Sequence, residues 1–359
     1  MGWPKTSDST RPGRLPVLLA IAIVFIFIFQ MQVLAQKQSR IGVIAPLSGT
    51  LASSGVAFRN AIMMADERYD SNNSVEFLFE DDGFLPARSV AIARKFIAEK
   101  VDGILIFGTP TAFAVVPITE QARLPLAAVT IVDKVVADRN YAVRHFVAWQ
   151  EENRKVVEEV RRRGYRKVAV VTTVNDASLS LRDGFLRDAP VSVVLNEEFQ
   201  REDMDFRAIA TRIRSLKPDA VYNLLFAPQG SAFMRALRNT GCESPAFAVH
   251  NAEDPSEILA AKGAYEGVWL VTGDDRSGKW AFDAYRSRFG DAPAMGWSNA
   301  FDLAKMSIES IYRGASLLDG WKELRDFEGV FGRYGSAAGN TFDLKAIVKI
   351  IKEGRIESL

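Results

Sequence analysis

Cysteine is nearly missing from this 359-residue chain: Cys242 stands alone, so no disulfide can close within it, and no motif around it marks a reactive thiol. Histidine is almost as scarce. His145 and His250 are the whole supply, too few for a cluster at metal-ligand spacing. There is no Gly-x-Ser-x-Gly elbow, which argues against an α/β-hydrolase. No Gly-x-Gly-x-x-Gly follows a strand-like run, which argues against a dinucleotide enzyme. The segment Gly273-Asp-Asp-Arg-Ser-Gly-Lys279 comes near a phosphate-binding loop. Trp280, however, stands where a magnesium-holding hydroxyl belongs, and Asp274 and Asp275 would repel phosphates. It reads as an exposed turn ahead of a helix. Asp81 and Asp82, at the end of a strand-like run, read as solvated acids rather than a metal or acid–base pair. Charge of neither sign is in excess: 45 basic residues meet 44 acidic ones, for a net +1. Without a basic stripe or aromatic-basic interleaving, nucleic acid is not an expected partner. No cofactor motif is present, and the chain does not read as an enzyme.

One long apolar run is present, Val17–Phe29, behind Lys5, Arg11 and Arg14 and ahead of Val33-Leu-Ala35. A basic flank, a short hydrophobic segment and small residues at −3 and −1 describe a secretory signal peptide, residues 1–35, cut after Ala35. The alternative is an uncleaved anchor over Val17–Ala35. Gln30 and Gln32 interrupt that span, and about 20 mostly apolar residues are needed to cross a bilayer. No cysteine lies near the cut, so lipid attachment of the bacterial lipoprotein kind is excluded. The expected location is periplasmic or extracytoplasmic.

The remainder is ordinary globular material, with 48% hydrophobic and 25% charged residues over the chain, enough for two lobes. From Arg40 to Thr130 a strand, loop, helix unit repeats: at Arg40–Gly49 with a helix from about Val56, at Val75–Glu99, and at Gly103–Gln121, before a strand at Pro125–Val129. Such alternation implies βαβ units and a parallel sheet, whose ligands sit outside the carboxyl ends of the strands. A second run follows a crossing at about Tyr141–Trp149. Its strands are expected at Lys167–Thr173, Val191–Leu195, Ala220–Phe226, Ala246–His250 and Gly267–Thr272. Amphipathic helices are expected between them and at Lys279–Phe289 and Asn299–Arg313, with loosely alternating strands at Thr341–Ile351. The fold class is α/β, with two doubly wound parallel-sheet lobes of similar size.

Several segments carry a family resemblance: Ile41-Gly-Val-Ile-Ala-Pro-Leu-Ser-Gly49, Glu80-Asp-Asp-Gly-Phe-Leu-Pro86 with Ala93, and Pro117-Ile-Thr-Glu-Gln-Ala-Arg-Leu-Pro-Leu126. Gly164-Tyr-Arg-Lys-Val-Ala-Val170, Pro218-Asp-Ala-Val221, the Phe301-Asp302 helix, Gly339-Asn-Thr-Phe-Asp343 and Lys352-Glu-Gly-Arg355 continue it in order. Together they resemble the branched-chain amino-acid (Leu/Ile/Val-type) binding proteins of ABC importers, over nearly all of the chain beyond the leader. The resemblance implies a type I periplasmic-binding fold with a three-crossing hinge. Its lobes would be residues 38–146 plus 274–332 and residues 147–273 plus 333–359. It also implies a small-molecule ligand, an amino acid, amide or carboxylate, and a membrane permease of an ABC importer as partner. A sensory module reporting to a partner receptor is the alternative.

Candidate contacts follow. The strand Gly103–Phe107 runs into Gly108-Thr-Pro-Thr111, and a helix N-terminus there would hold an anion with its free N–H groups, helped by Thr109 or Thr111. Either threonine could equally be a plain cap. By the resemblance, Thr109 takes the place of the serine that holds the ligand's carboxylate, Thr130 adds a second contact, and Val132 stands where relatives have a further threonine. Ser54 occupies the position of a family aromatic, and Ala177, beside Asn175 and Asp176, that of another. On the opposite wall Phe226 replaces a tyrosine, and His250 and Asn251 replace an acid that holds the ligand's ammonium. A neutral histidine and an amide do not neutralise a buried ammonium as a carboxylate does. That departure favours an amide, an aromatic acid or another small carboxylate over an ordinary amino acid.

Overall fold

The computed structural model describes residues 1–2, 38–290 and 292–359; the leader expected at residues 1–35 lies almost wholly outside them. Ser39–Leu359 forms one compact unit built on two sheets. The first has five parallel strands in the order β2-β1-β3-β4-β5, with β1 at Ser39–Ala45, β2 at Val75–Asp81, β3 at Gly103–Phe107, β4 at Leu126–Val129 and β5 at Ala142–Arg144. Helices α1 (Ala52–Tyr69), α2 (Pro86–Ala98) and α3 (Thr109–Ala122) connect them. Helices on both faces leave β3 and β4 buried at every position, which is why these strands are unbroken apolar runs with no alternation.

The second sheet contains β6 (Lys167–Thr173), β7 (Ser192–Phe199), β8 (Ala220–Leu224), β9 (Ala246–Val249) and β10 (Trp269–Gly273), joined by α4 (Trp149–Arg162) before β6 and by α5 (Asp176–Asp188), α6 (Arg207–Leu216), α7 (Gln229–Asn239) and α8 (Pro255–Ala260) between strands. Its order is β16-β15-β10-β9-β8-β6-β7, and β15 (Ala346–Lys352) and β16 (Arg355–Ser358) add antiparallel to β10 and to each other. The sheets differ in size, with five strands against seven, because the chain's tail extends the second. Their parallel parts share one order, with the second strand outside the first and the third on its other side. Each therefore has a switch point, between β1 and β3 and between β6 and β8.

The chain passes between the sheets three times: from β5 to α4, from β10 into α9 (Lys279–Phe289) and α10 (Trp297–Tyr312), and back into β15. Helix α10 packs along α1. A short helix α11 (Leu317–Lys322) and the hairpins β11 (Phe327–Gly329) with β12 (Gly332–Tyr334) and β13 (Ser336–Ala337) with β14 (Thr341–Phe342) precede the last passage. The Asn340 carbonyl accepts from the Arg144 N–H at 2.8 Å, and its Nδ2 donates to the Val136 and Arg139 carbonyls.

Aromatic rings stack across the second sheet in register. Tyr222 is paired with Phe247, and Phe247 with Trp269; ring centroids are 4.5 and 4.6 Å apart and the planes nearly parallel. Cross-strand pairs of this kind stabilise the sheet by packing beyond mere area. Two buried polar sets lie near the passages. His145 Nδ1 accepts from Asn299 Nδ2 at 3.2 Å, which leaves Nε2–H to donate to Tyr334 Oη at 2.8 Å; Tyr334 in turn donates to Asp302 Oδ2 at 2.8 Å. Burial pushes the Asp302 carboxyl up to about 7 and the His145 imidazole down to about 3. On β15, Lys349 Nζ lies 2.7 Å from Glu253 Oε1 and 2.9 Å from Asp275 Oδ1. Asp81 and Asp82 correct an expectation, since they build loops. Asp81 accepts from the Leu47, Ser48 and Gly83 N–H groups, and Asp82, with 0% exposure, from Phe84 N–H and Ser89 Oγ.

Candidate ligand-binding site

A cavity of about 410 Å³ lies where the carboxyl ends of the two sheets meet. Its lining comes from both switch points: the segments after β3 and β4 on one side, and those after β6 and β8 on the other. On the first wall, Gly108 has φ 100°, a conformation open to glycine, and it turns β3 sharply into α3. That turn brings Thr109 and Pro110 to the cavity at the start of the helix, where unpaired N–H groups and the positive dipole end favour an anion. Thr109 Oγ1 and Thr130 Oγ1 lie 2.7 Å apart, and Thr130 Oγ1 also accepts from Val132 N–H at 3.2 Å. One hydroxyl proton bridges the pair, whichever donates, and the other stays available to a ligand. Phe84, Phe107, Ile131 and Met295 supply apolar surface.

The second wall carries Phe226, His250, Thr173, Asn175 and Gln229, but most of its polar atoms are already engaged. Thr173 Oγ1 donates to Gln229 Oε1 and accepts from Phe226 N–H; Gln229 Nε2 donates to the Gln200 and Asp203 carbonyls. Asn175 caps α5 by accepting from Ser178 N–H. His250 is different. Its Nδ1 sits 3.0 Å from both carboxylate oxygens of Glu152, a residue of α4 with 0% exposure. Burial pushes the Glu152 carboxyl up, against the opposing pull of His250 and Arg144. The imidazole is wedged edge-on between Phe146 (5.1 Å) and Phe226 (5.7 Å). Behind it the buried Arg144 guanidinium donates to the Thr130 and Phe146 carbonyls, and its Nη2 lies 2.9 Å from Asp133 Oδ1, an ion pair by distance without hydrogen-bond alignment.

Of the residues expected from sequence, the structure brings Thr109, Thr130, Phe226 and His250 together in this cavity. Ala177 lines it too, beside Asp176. Three are placed elsewhere. Thr111 spends its hydroxyl on the Phe107 and Gly108 carbonyls, as a β-hydroxyl in a first helical turn readily does. Ser54 is buried within α1, outside the lining. Asn251 turns inward, with Nδ2 on the Asn223 and Leu225 carbonyls and Oδ1 on Val249 N–H. The sequence reading missed Glu152, Phe84 and Arg201. Glu152 left a signal: it shares a helical stripe with Val156 and Val160, so an acid on that face was bound for the interior. Phe84 and the exposed Arg201 sit in loops that carry no period.

Contacts also span the mouth. Ser53 Oγ donates to Asp254 Oδ2 at 2.8 Å, and Arg201 Nη2 to Thr50 Oγ1 at 3.4 Å, with the Arg201 guanidinium 5.5 Å from the Phe84 ring centre. Among the described residues no group of three or more His, Cys, Asp or Glu side chains gathers to hold a metal ion.

Known proteins place this architecture. A "Leu/Ile/Val-binding protein BraC3" from Rhizobium johnstonii is 23% identical over 344 residues, covering 90% of this chain and 85% of that one. The branched-chain amino acid substrate-binding protein LivJ of Streptococcus pneumoniae, solved with isoleucine, superposes with a TM-score of 0.83 at 19% identity, over 90% of this chain and 98% of that one. An R. palustris solute-binding protein of an ABC transporter, solved with benzoate, gives a TM-score of 0.80 at 18% identity, over 90% and 95%. Relatives this distant establish the shared fold. A family profile described as "Periplasmic binding protein" matches residues 38–344, most of the molecule, and the chain belongs to that family.

Proposed function

We propose that this protein is the extracytoplasmic solute-binding component of an ABC uptake system, exported by the leader at residues 1–35. It delivers a small carboxylate to a membrane permease. The observation that carries the reading is the cavity at the paired switch points, with the Thr109–Thr130 hydroxyls at a helix N-terminus on one wall and Phe226 and His250 on the other. The ligand's carboxylate docks on Thr109, Thr130 and the α3 N-terminus, and closure about the three passages brings the second wall over it. The moving bodies are residues 38–146 plus 274–332 and residues 147–273 plus 333–359. The bonds from Asn340 to Val136, Arg139 and Arg144 favour placing the last passage nearer residue 343. No step alters the ligand.

The ligands named for the solved relatives, isoleucine and benzoate, are both small carboxylates, and the same class fits this cavity: branched-chain amino acids, their amides, and aromatic or aliphatic acids. A micromolar affinity corresponds to about −8 kcal/mol, within reach of a small enclosed ligand. A thermal-shift screen of these compounds tests the reading, because a ligand that binds only the folded state raises the melting temperature. Thr109→Val should weaken the best carboxylate at least tenfold (~1.4 kcal/mol) by isothermal titration. Unchanged affinity rules out the anchor.

A further inference from the structure

The second wall lacks a carboxylate at the cavity surface beside His250, yet one stands directly behind the imidazole. Both oxygens of Glu152 lie 3.0 Å from His250 Nδ1. An ionised carboxylate straddling a single N–H donor has this symmetry; a carboxylic acid giving its one proton to a ring nitrogen would bring one oxygen closer. The buried Arg144 guanidinium supports the ionised form by its field on Glu152. The neutral imidazole then carries its proton on Nδ1, and its lone pair sits on Nε2. His250 is only 3% exposed and lines the cavity, and Nε2 makes no hydrogen bond within the described residues. Phe146 and Phe226 fix the ring plane. By contrast, Thr173, Asn175 and Gln229 have their hydrogen-bonding atoms engaged within the protein. The wall therefore offers one fixed, buried acceptor with an anion one ring behind it.

We infer that His250 and Glu152 form a relayed acceptor that selects a carboxylate ligand bearing a second polar head with an N–H or O–H to donate, such as an ammonium or a phenolic hydroxyl. His250 makes the contact and Glu152 is a positioning residue that sets the tautomer and polarises the ring. The inference rests on the carboxylate-binding reading above and names the group that the opposite wall requires. A site built to accept a hydrogen bond discriminates strongly against an analogue lacking the donor, since its buried acceptor is left unpaired.

Two matched pairs test this by calorimetry on the purified protein: leucine against 4-methylpentanoate, and 4-hydroxybenzoate against benzoate. The first pair reads an ammonium donor and the second a phenolic one. In at least one pair the donor-bearing member should bind ten times more tightly or better. His250→Phe should bring that ratio to about one, and Glu152→Gln should lower it at least threefold. Thr109→Val should weaken both members equally and leave the ratio intact. A ratio is insensitive to the fraction of variant that folds, and the wild-type ratios need no variant. If carboxylates bind but neither pair discriminates, or if both wall variants keep the ratio, the relay is overturned while the carboxylate site stands. If none of the four binds, the carboxylate reading falls and takes the relay with it.

Discussion

Asp302 and His145 meet through one phenol, Tyr334, and answer pH in opposite senses. Burial raises the Asp302 carboxyl from 3.8 to about 7, so the folded protein holds that proton more tightly than the unfolded chain does. Its contribution is fully present below about pH 4 and is lost as pH rises through 7. Burial lowers His145 from 6.5 to about 3, so its contribution is present above about 6.5 and lost on acidification towards 3. Between pH 4 and 6.5 the two oppose each other. Asp302→Asn keeps acceptors for Val330 N–H and the Tyr334 hydroxyl but removes the first trend. Its melting temperature should therefore fall more than that of the wild type between pH 7 and pH 4, by a margin on the order of a few kcal/mol in stability. Parallel melting curves would sink this account of Asp302. At this scale the sequence was only partly legible. Thr109 could be found because a strand breaking into a helix start exposes its first hydroxyl. Ser54, Thr111 and Asn251 were read as contacts because a loop position says nothing of where a side chain points. His250 and Asn251 are neighbours, yet one lines the cavity and the other knits the strand ends together.

At the scale of elements, α1 is held against the first loop by the absence of one atom. A Cβ at Gly55 would lie 2.0 Å from the Pro46 carbonyl oxygen, a backbone atom that cannot swing aside. Gly55→Ala should destabilise by about 1–3 kcal/mol or more, visible as a lower melting temperature by circular dichroism. A melt within a degree of the wild type would mean that the loop yields freely. Most elements were legible beforehand, since periods of 3.6 and 2 and the loops between them mark the helices and strands from β1 through α10. What escaped was short. Hairpins β11–β12 and β13–β14 use strands of two or three residues, too few to show alternation. The tail was readable as strand, but not that it would extend the second sheet antiparallel, because partner choice is decided by the free edge of β10 rather than by the tail itself.

For the molecule as a whole, the contacts across the mouth decide how tightly the cavity stays shut. Ser53→Ala removes the hydrogen bond to Asp254 and leaves Asp254 capping α8 through Ser256 N–H. It should lower ligand affinity a few-fold, as a net hydrogen bond of about 1 kcal/mol implies, and leave the melting temperature of the empty protein nearly unchanged. An equal loss of stability without ligand would show that the bond is structural instead. The two-layered plan was legible as a repeated βαβ rhythm, and the meeting of its two switch points follows from that plan. The clasp was not legible, because it joins loop residues remote in sequence whose encounter only the folded chain defines.

The Lys349 trio has a mechanical meaning. One ammonium, almost sealed from solvent, grips Glu253 at the end of the β9 turn and Asp275 just past β10. Separating such charges away from water is costly, so the backbone there behaves as a riveted jamb, and travel on opening should accumulate at the far rim. Spin labels at Thr50 and Arg201 should move apart when ligand is withdrawn, while a pair flanking the rivet keeps its spacing.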